Sequence, residues 1–156
     1  MFGFLKSKAK EIQAPVDGEV LALESVNDDV FSQKMVGDGV AIKPTSNVFT
    51  APIDGVISKI FSTNHAYSIK GDKGLEVMVH IGLETVALEG KGFTRKSEEG
   101  ERVKAGDAII VVDLAYISEH AKDTITPVIV LEESEVKALE KKLGNVKMGD
   151  LLMEAK

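Results

Sequence analysis

Apolar and polar positions alternate along this chain in short runs, and the runs are separated by glycine and aspartate. Asp17-Gly18, Gly37-Asp38-Gly39, Asp54-Gly55, Gly71-Asp72-Lys73-Gly74 and Ala105-Gly106-Asp107 are the punctuation. Between them, Val48-Phe49-Thr50, Val56-Ile57-Ser58-Lys59-Ile60-Phe61, residues 75–81 and Ala108-Ile109-Ile110-Val111-Val112 read as strands. Short strands with regular turn chemistry predict an all-β sandwich or barrel. Residues 114–122 are expected to form one short helix. Residues 132–143 are expected to form another, with Ser134 as its cap and Gly144 as its stop. Residues 146–153 are expected to return as a last strand.

Two internal echoes suggest duplicated halves. Ala14-Pro15-Val16-Asp17-Gly18-Glu19-Val20 recurs as Ala51-Pro52-Ile53-Asp54-Gly55-Val56-Ile57, and residues 34–40 resemble residues 103–109. Two echoes are too few for a solenoid. The chain has 156 residues and no low-complexity linker. One domain over residues 11–156 is expected, behind a flexible segment of residues 1–10.

The most informative segment holds two of the three histidines, His65 and His80. If residues 61–70 and 75–82 are strands joined by a two-residue loop at Asp72-Lys73, Gly71 faces Gly74. Counting back along both strands then sets His65 opposite His80, with Cβ atoms about 4.5–5.5 Å apart. A slip of one residue moves the rings to opposite faces, so the expectation depends on the turn. Leu75, Val77, Val79 and Ile81 share one apolar face and should point inward. Glu76, Met78 and His80 share the other face, joined by Phe61, Thr63, His65, Tyr67 and Ile69 from the facing strand. The third histidine, His120, lies among polar neighbours and reads as a solvated helix residue.

Paired imidazoles have three readings at this point. A neutral ring nitrogen is nucleophilic near neutral pH, so His80 can attack phosphorus while His65 bonds the transferred oxygens and Thr63 orients a ring. The pair also supplies half of a zinc shell, with Glu76 or Glu84 as a further ligand, although a catalytic zinc takes three protein ligands. The third reading is two surface histidines with no special role.

Composition narrows the class. Hydrophobic residues make up 44% and charged residues 28%, as in soluble globular proteins. The absence of cysteine excludes disulfides and thiolate chemistry and fits a reducing, cytoplasmic setting. A net charge of −6 argues against nucleic-acid binding and suits docking to a basic protein face. No apolar run reaches the ~18 residues of a membrane span. The opening Met1-Phe2-Gly3-Phe4-Leu5-Lys6-Ser7-Lys8 offers peripheral membrane contact at most, and Met1 favours a free protein over one domain cut from a longer chain.

Several stretches together resemble one family. Residues 36–44, Thr63-Asn64-His65-Ala66-Tyr67, Val79-His80-Ile81-Gly82-Leu83-Glu84-Thr85-Val86, Gly90-Lys91-Gly92-Phe93 and Leu114, through Thr124-Ile125-Thr126-Pro127-Val128, are similar to the glucose-type enzyme IIA component of the bacterial sugar phosphotransferase system. The resemblance covers residues 11–153. It implies an antiparallel β-sandwich with Greek-key connections and duplicated hybrid halves. It implies that His80 carries phosphate at Nε2, with His65 the supporting histidine and Thr63 the orienting hydroxyl. The implied donor is the phosphohistidine of the carrier HPr, and the acceptor is the cysteine of an enzyme IIB domain.

The family's docking ring falls on Val30, Phe31, Met35, Val36, Phe61, Met78 and Val86, with Asp28 and Glu84 at its acidic rim. Ala87 replaces a second acidic residue of many relatives, and Met78 replaces an aromatic of some, which bears on partner preference. Regulatory targets and a weak zinc site at His65 and His80 are carried over from enteric relatives as options; no cofactor is required. A zinc hydrolase on a related β fold is the alternative. It lacks its His-x-His pair here, because Met78 and Gly82 flank His80 at spacing two. A biotinyl or lipoyl carrier lacks its modification lysine, because no methionine stands beside Lys73.

Overall fold

The alternating segments become strands in the computed structural model, which describes residues 10–134 and 136–156. In chain order they are β1 (Lys10–Gln13), β2 (Gly18–Ala22), α1 (Asp29–Ser32), β3 (Gly37–Pro44), β4 (Val48–Thr50), β5 (Gly55–Ile60), β6 (Ala66–Lys70) and β7 (Glu76–His80). They continue as β8 (Phe93–Arg95), β9 (Arg102–Val103), β10 (Ala108–Val112), α2 (Leu114–His120), β11 (Thr126–Leu131), β12 (Leu139–Lys141), β13 (Gly144–Val146) and β14 (Leu151–Ala155). Every strand pair is antiparallel.

One eight-stranded sheet runs β13-β2-β3-β11-β7-β6-β5-β9, and two three-stranded sheets run β1-β14-β12 and β4-β10-β8. Strand β11 sits between β3 and β7, far from both in sequence, so the sheet closes by crossover connections. All three sheets face one core: Ile12, Val20, Ile42, Phe49, Ile57, Val77, Val79, Ile109, Val128 and Leu152 are buried together. This is the antiparallel β-sandwich that the turn pattern and the resemblance implied. The flexible segment expected for residues 1–10 lies outside the described residues up to residue 9, and Lys10 opens β1.

The duplication is visible in backbone hydrogen bonds. Gln13 N–H donates to Pro52 O, and Thr50 N–H donates to Pro15 O. Asp17 Oδ1 accepts from Met148 N–H, as Asp54 Oδ1 accepts from Ala105 N–H. Gly18 and Gly55 each lie where a Cβ would stand 2.2 and 2.3 Å from the carbonyl oxygens of Lys43 and Lys70. The proposed match of residues 34–40 with 103–109 is corrected by this geometry. The turn at Val103-Lys104-Ala105-Gly106-Asp107 corresponds to Val146-Lys147-Met148-Gly149-Asp150, and in each the aspartate carboxylate accepts from the N–H of the lysine three residues before it.

The second helix expected, over residues 132–143, is absent. Strand β12 pairs with β14 instead, and Lys142 N–H continues the ladder to Leu152 O. Ser134 is not a cap; its hydroxyl accepts from Glu76 N–H at 2.9 Å. A helix of this length is marginal alone, and an open sheet edge outcompetes it. The last strand also splits, into β13 and β14, at the turn around Gly149.

Candidate active site

Strand β7 presents His80 by simple alternation. Val77 and Val79 point into the core, while Glu76, Met78 and His80 are half-buried on the other face. His80 Nδ1 lies 2.8 Å from the carbonyl oxygen of Gly82. A carbonyl only accepts, so Nδ1 carries the proton and the neutral ring keeps its lone pair at Nε2. Burial holds His80 below the usual histidine range, against the opposing pull of the Gly82 carbonyl and the Asp28 charge.

His65 reaches His80 by a route other than the one expected. The hairpin loop has three residues, Asp72, Lys73 and Gly74, with Gly74 left-handed at φ +77°. Gly71 therefore bonds Leu75, and Ala66 rather than His65 faces His80. This slip moves Tyr67 and Ile69 from the histidine face into the core, where Tyr67 donates its hydroxyl to Thr50 O at 2.7 Å. Residues 61–64 are a turn, not strand, closed by Asn64 N–H to Phe61 O and Phe61 N–H to Ala66 O. With Asn64 left-handed at φ +61°, the chain leaves regular pairing at His65 and its ring swings to His80. The two ring centroids are 5.0 Å apart with planes at 79°.

Thr63 Oγ1 sits 2.5 Å from His65 Nδ1, and the Phe61 ring lies 5.3 Å from the His65 ring. His65 is buried, and burial followed by the neighbouring His80 charge pushes its pKa down to about 4. Both rings are therefore neutral near pH 7, each with a single N–H. His120 is exposed, stacks on Tyr116 at the end of α2, and takes no part in the site.

The surroundings of the pair are apolar but not uniformly open. Phe31 is buried and its ring lies 4.9 Å from that of His80. It belongs to a small outer cluster with Leu23, Leu83 and Ile129, against which Val36 and Met78 pack. Met78 is thus partly covered by a second layer, not free on the surface. Val30, Met35 and Val86 are exposed at 43%, 60% and 56%. A depression of about 280 Å³ lies among Asp28, Val30, Phe31, His80, Glu84 and Val86. Asp28 caps α1 by accepting from Val30 N–H at 3.0 Å. Glu84 is exposed and sits 3.6 Å from Lys122, which also donates to Asn27 O. Lys122 was not singled out from the sequence, and neither was Arg95, whose Nε–H donates to Asn64 Oδ1. No local motif marks either one.

Among the described residues, no group of three or more histidine, cysteine, aspartate or glutamate side chains is placed to hold a metal. With both Nδ1 atoms engaged, the pair offers two donors, short of a catalytic zinc shell. The zinc option is therefore unsupported, as is the zinc hydrolase alternative. No helix among the described residues is long and apolar enough to cross a membrane.

Comparison with known proteins points to one family. Residues 10–136 match the family model for the phosphoenolpyruvate-dependent sugar phosphotransferase system, EIIA 1. The chain is 45% identical over 99% of its length to the PTS system glucose-specific EIIA component of Haemophilus influenzae, covering 95% of that protein. It is 47% identical over 92% of its length to the protein of the same name from Borreliella burgdorferi, covering 76% of it. The structure of glucose permease IIA from Mycoplasma capricolum superposes with a TM-score of 0.92 at 38% identity, over 99% of both chains. This chain belongs to the EIIA 1 family of the phosphoenolpyruvate-dependent sugar phosphotransferase system.

Proposed function

We propose that this protein relays a phosphoryl group through Nε2 of His80, from the phosphohistidine of HPr to the cysteine of an enzyme IIB domain. The observation that carries this reading is the Gly82 carbonyl on His80 Nδ1, which leaves a lone pair at Nε2 beside a second imidazole. In the first step the Nε2–P bond forms as the donor's N–P bond breaks, and the donor ring leaves with that electron pair. In the second, a cysteine thiolate attacks phosphorus and His80 recovers its lone pair. Little bond energy separates two phosphoimidazoles, so catalysis is positioning and charge stabilisation.

His65 stabilises the transferred group. A neutral His65 whose Nδ1 accepts from the Thr63 hydroxyl carries its proton at Nε2, free to bond a phosphoryl oxygen. Val30, Met35 and Val86 supply the partner surface, while Phe31, Val36, Phe61 and Met78 shape and support it. Asp28 and Glu84 add charge for a basic donor face. The reading places the protein in the cytoplasm, where phosphoenolpyruvate is made. The relatives' glucose-specific names make a glucose-type permease the first acceptor to try.

The test is incubation with phosphoenolpyruvate, enzyme I and HPr. Acid-labile, base-stable phosphate should appear on the wild-type chain and move to an enzyme IIB domain. His80→Ala should accept none; full labelling of that variant would overturn the assignment.

A further inference from the structure

The turn that presents His65 is fastened from a different sheet. Arg95 closes β8, and its Nε–H reaches across to donate to Asn64 Oδ1 at 2.9 Å. The far end of the same guanidinium is held by Glu98, 3.2 Å from Nη1. Arg95 thus arrives at Asn64 with its fork already oriented, which a lysine at this position would not reproduce. Asn64 itself is left-handed at φ +61°, a conformation asparagine tolerates but that depends on its surroundings to persist. It stands between Thr63 and His65, whose side chains meet at 2.5 Å. Any rotation about the Asn64 backbone therefore turns residue 63 against residue 65 and separates that pair.

We propose that Arg95 is a positioning residue for phosphoryl transfer: its bond to Asn64 locks the left-handed turn that sets the Thr63 hydroxyl on His65 Nδ1 and so fixes the His65 tautomer. The inference rests on the reading of His65 as the phosphoryl stabiliser, and it assigns a task to a side chain that is bonded to the turn before His65. Without the Arg95 bond the turn samples other backbone states, the Thr63 contact is made part of the time, and the His65 proton divides between its two nitrogens. The nucleophile keeps its own anchor at Gly82, so acceptance by His80 suffers less than onward transfer.

The experiment compares wild type with Arg95→Gln and Asn64→Gly. The glycine permits the left-handed turn while removing the acceptor, so it tests the bond apart from the strain. Imidazole ¹⁵N spectra of the unphosphorylated proteins report the tautomer, and thermal melts report folding. We expect a single His65 tautomer in wild type and a mixture in both variants. Transfer to an enzyme IIB domain should fall about tenfold, and acceptance from phospho-HPr by less than about threefold. In a Thr63→Val background, Arg95→Gln should cost under about twofold more, because both act through the same ring. Asn64→Asp, which keeps the acceptor and tolerates the backbone, should restore the wild-type tautomer. Unchanged His65 spectra in the folded variants, or full additivity with Thr63→Val, would overturn the proposal. Failure of wild type to take phosphate from HPr would instead overturn the functional reading, and the spectra would still decide the role of Arg95.

Discussion

His80 Nδ1 donates to the carbonyl oxygen of Gly82, two residues further along the same chain, at 2.8 Å. The anchor lies within one segment, so it travels with the strand end and does not depend on the rest of the site. It also raises the basicity of the ring against the lowering effect of burial. The expected consequence is a His80 proton on Nδ1 in the free protein and phosphorus bonded to Nε2 after labelling. Phosphorus–nitrogen coupling in ¹⁵N-histidine protein would read this directly, and coupling to Nδ1 would contradict it.

Thr63 is the next group to remove. Thr63→Val keeps the shape and deletes the hydroxyl that meets His65 Nδ1. A hydrogen bond of this kind contributes about 1–1.5 kcal/mol, so transfer to the acceptor should slow about tenfold. Labelling of His80 should persist, since its own anchor is untouched. Equal losses in both half-reactions, measured by rapid quench, would show that Thr63 acts on something other than His65.

Stability should depend on pH through the same ring. His65 titrates at about 4 when folded against 6.5 when unfolded. Between these values the unfolded chain holds the extra proton, so stability climbs as pH rises from about 4 to 6.5 and is level above. His80, also lowered, acts with the same sign. Urea unfolding at about pH 5 and about pH 7.5 should show wild type losing roughly 1–2 kcal/mol more than His65→Gln on acidification, after allowance for solvent screening. Parallel losses would mean that His65 is not held neutral by burial.

Much of this could be read from the sequence where the physics is local. The inward face of β7, the strands at residues 48–50 and 108–112, and the helix near residue 114 followed from alternation and turn residues. The hairpin register did not, because Gly71-Asp72-Lys73-Gly74 accommodates a two-residue or a three-residue loop, and only the conformation of Gly74 decides between them. The slip sent Tyr67 inward, yet the His65 ring met His80 because the strand had ended by residue 65. The helix at residues 132–143 failed for a different reason: β14 offers an edge that a local reading cannot see. Arg95 and Lys122 were silent because each acts on residues dozens of positions away in the chain.

The duplicated halves make a prediction of their own. A methyl group at Gly18 or Gly55 would meet a backbone oxygen at 2.2 or 2.3 Å, closer than any side-chain adjustment can relieve. Each carbonyl belongs to the strand paired with that glycine, so the ladder itself must yield. Gly18→Ala and Gly55→Ala should each destabilise by about 2–4 kcal/mol, and by similar amounts. Chemical denaturation of both variants checks this, and a neutral effect at either site would break the equivalence drawn between the halves.

Val86 separates docking from chemistry. It is 56% exposed, it follows the buried Thr85, and it borders the depression beside His80. It makes no part of the imidazole pair, and a charge there remains solvated in the free protein. Val86→Asp should leave folding stability within about 0.5 kcal/mol of wild type. In a complex the same carboxylate would be stripped of water against an apolar partner surface, which is costly without a partner charge. The KM for phospho-HPr should therefore rise about tenfold or more while kcat stays within about threefold. The opposite split, with kcat reduced and KM unchanged, would place Val86 with the reacting groups and remove the exposed apolar rim from the account of partner recognition.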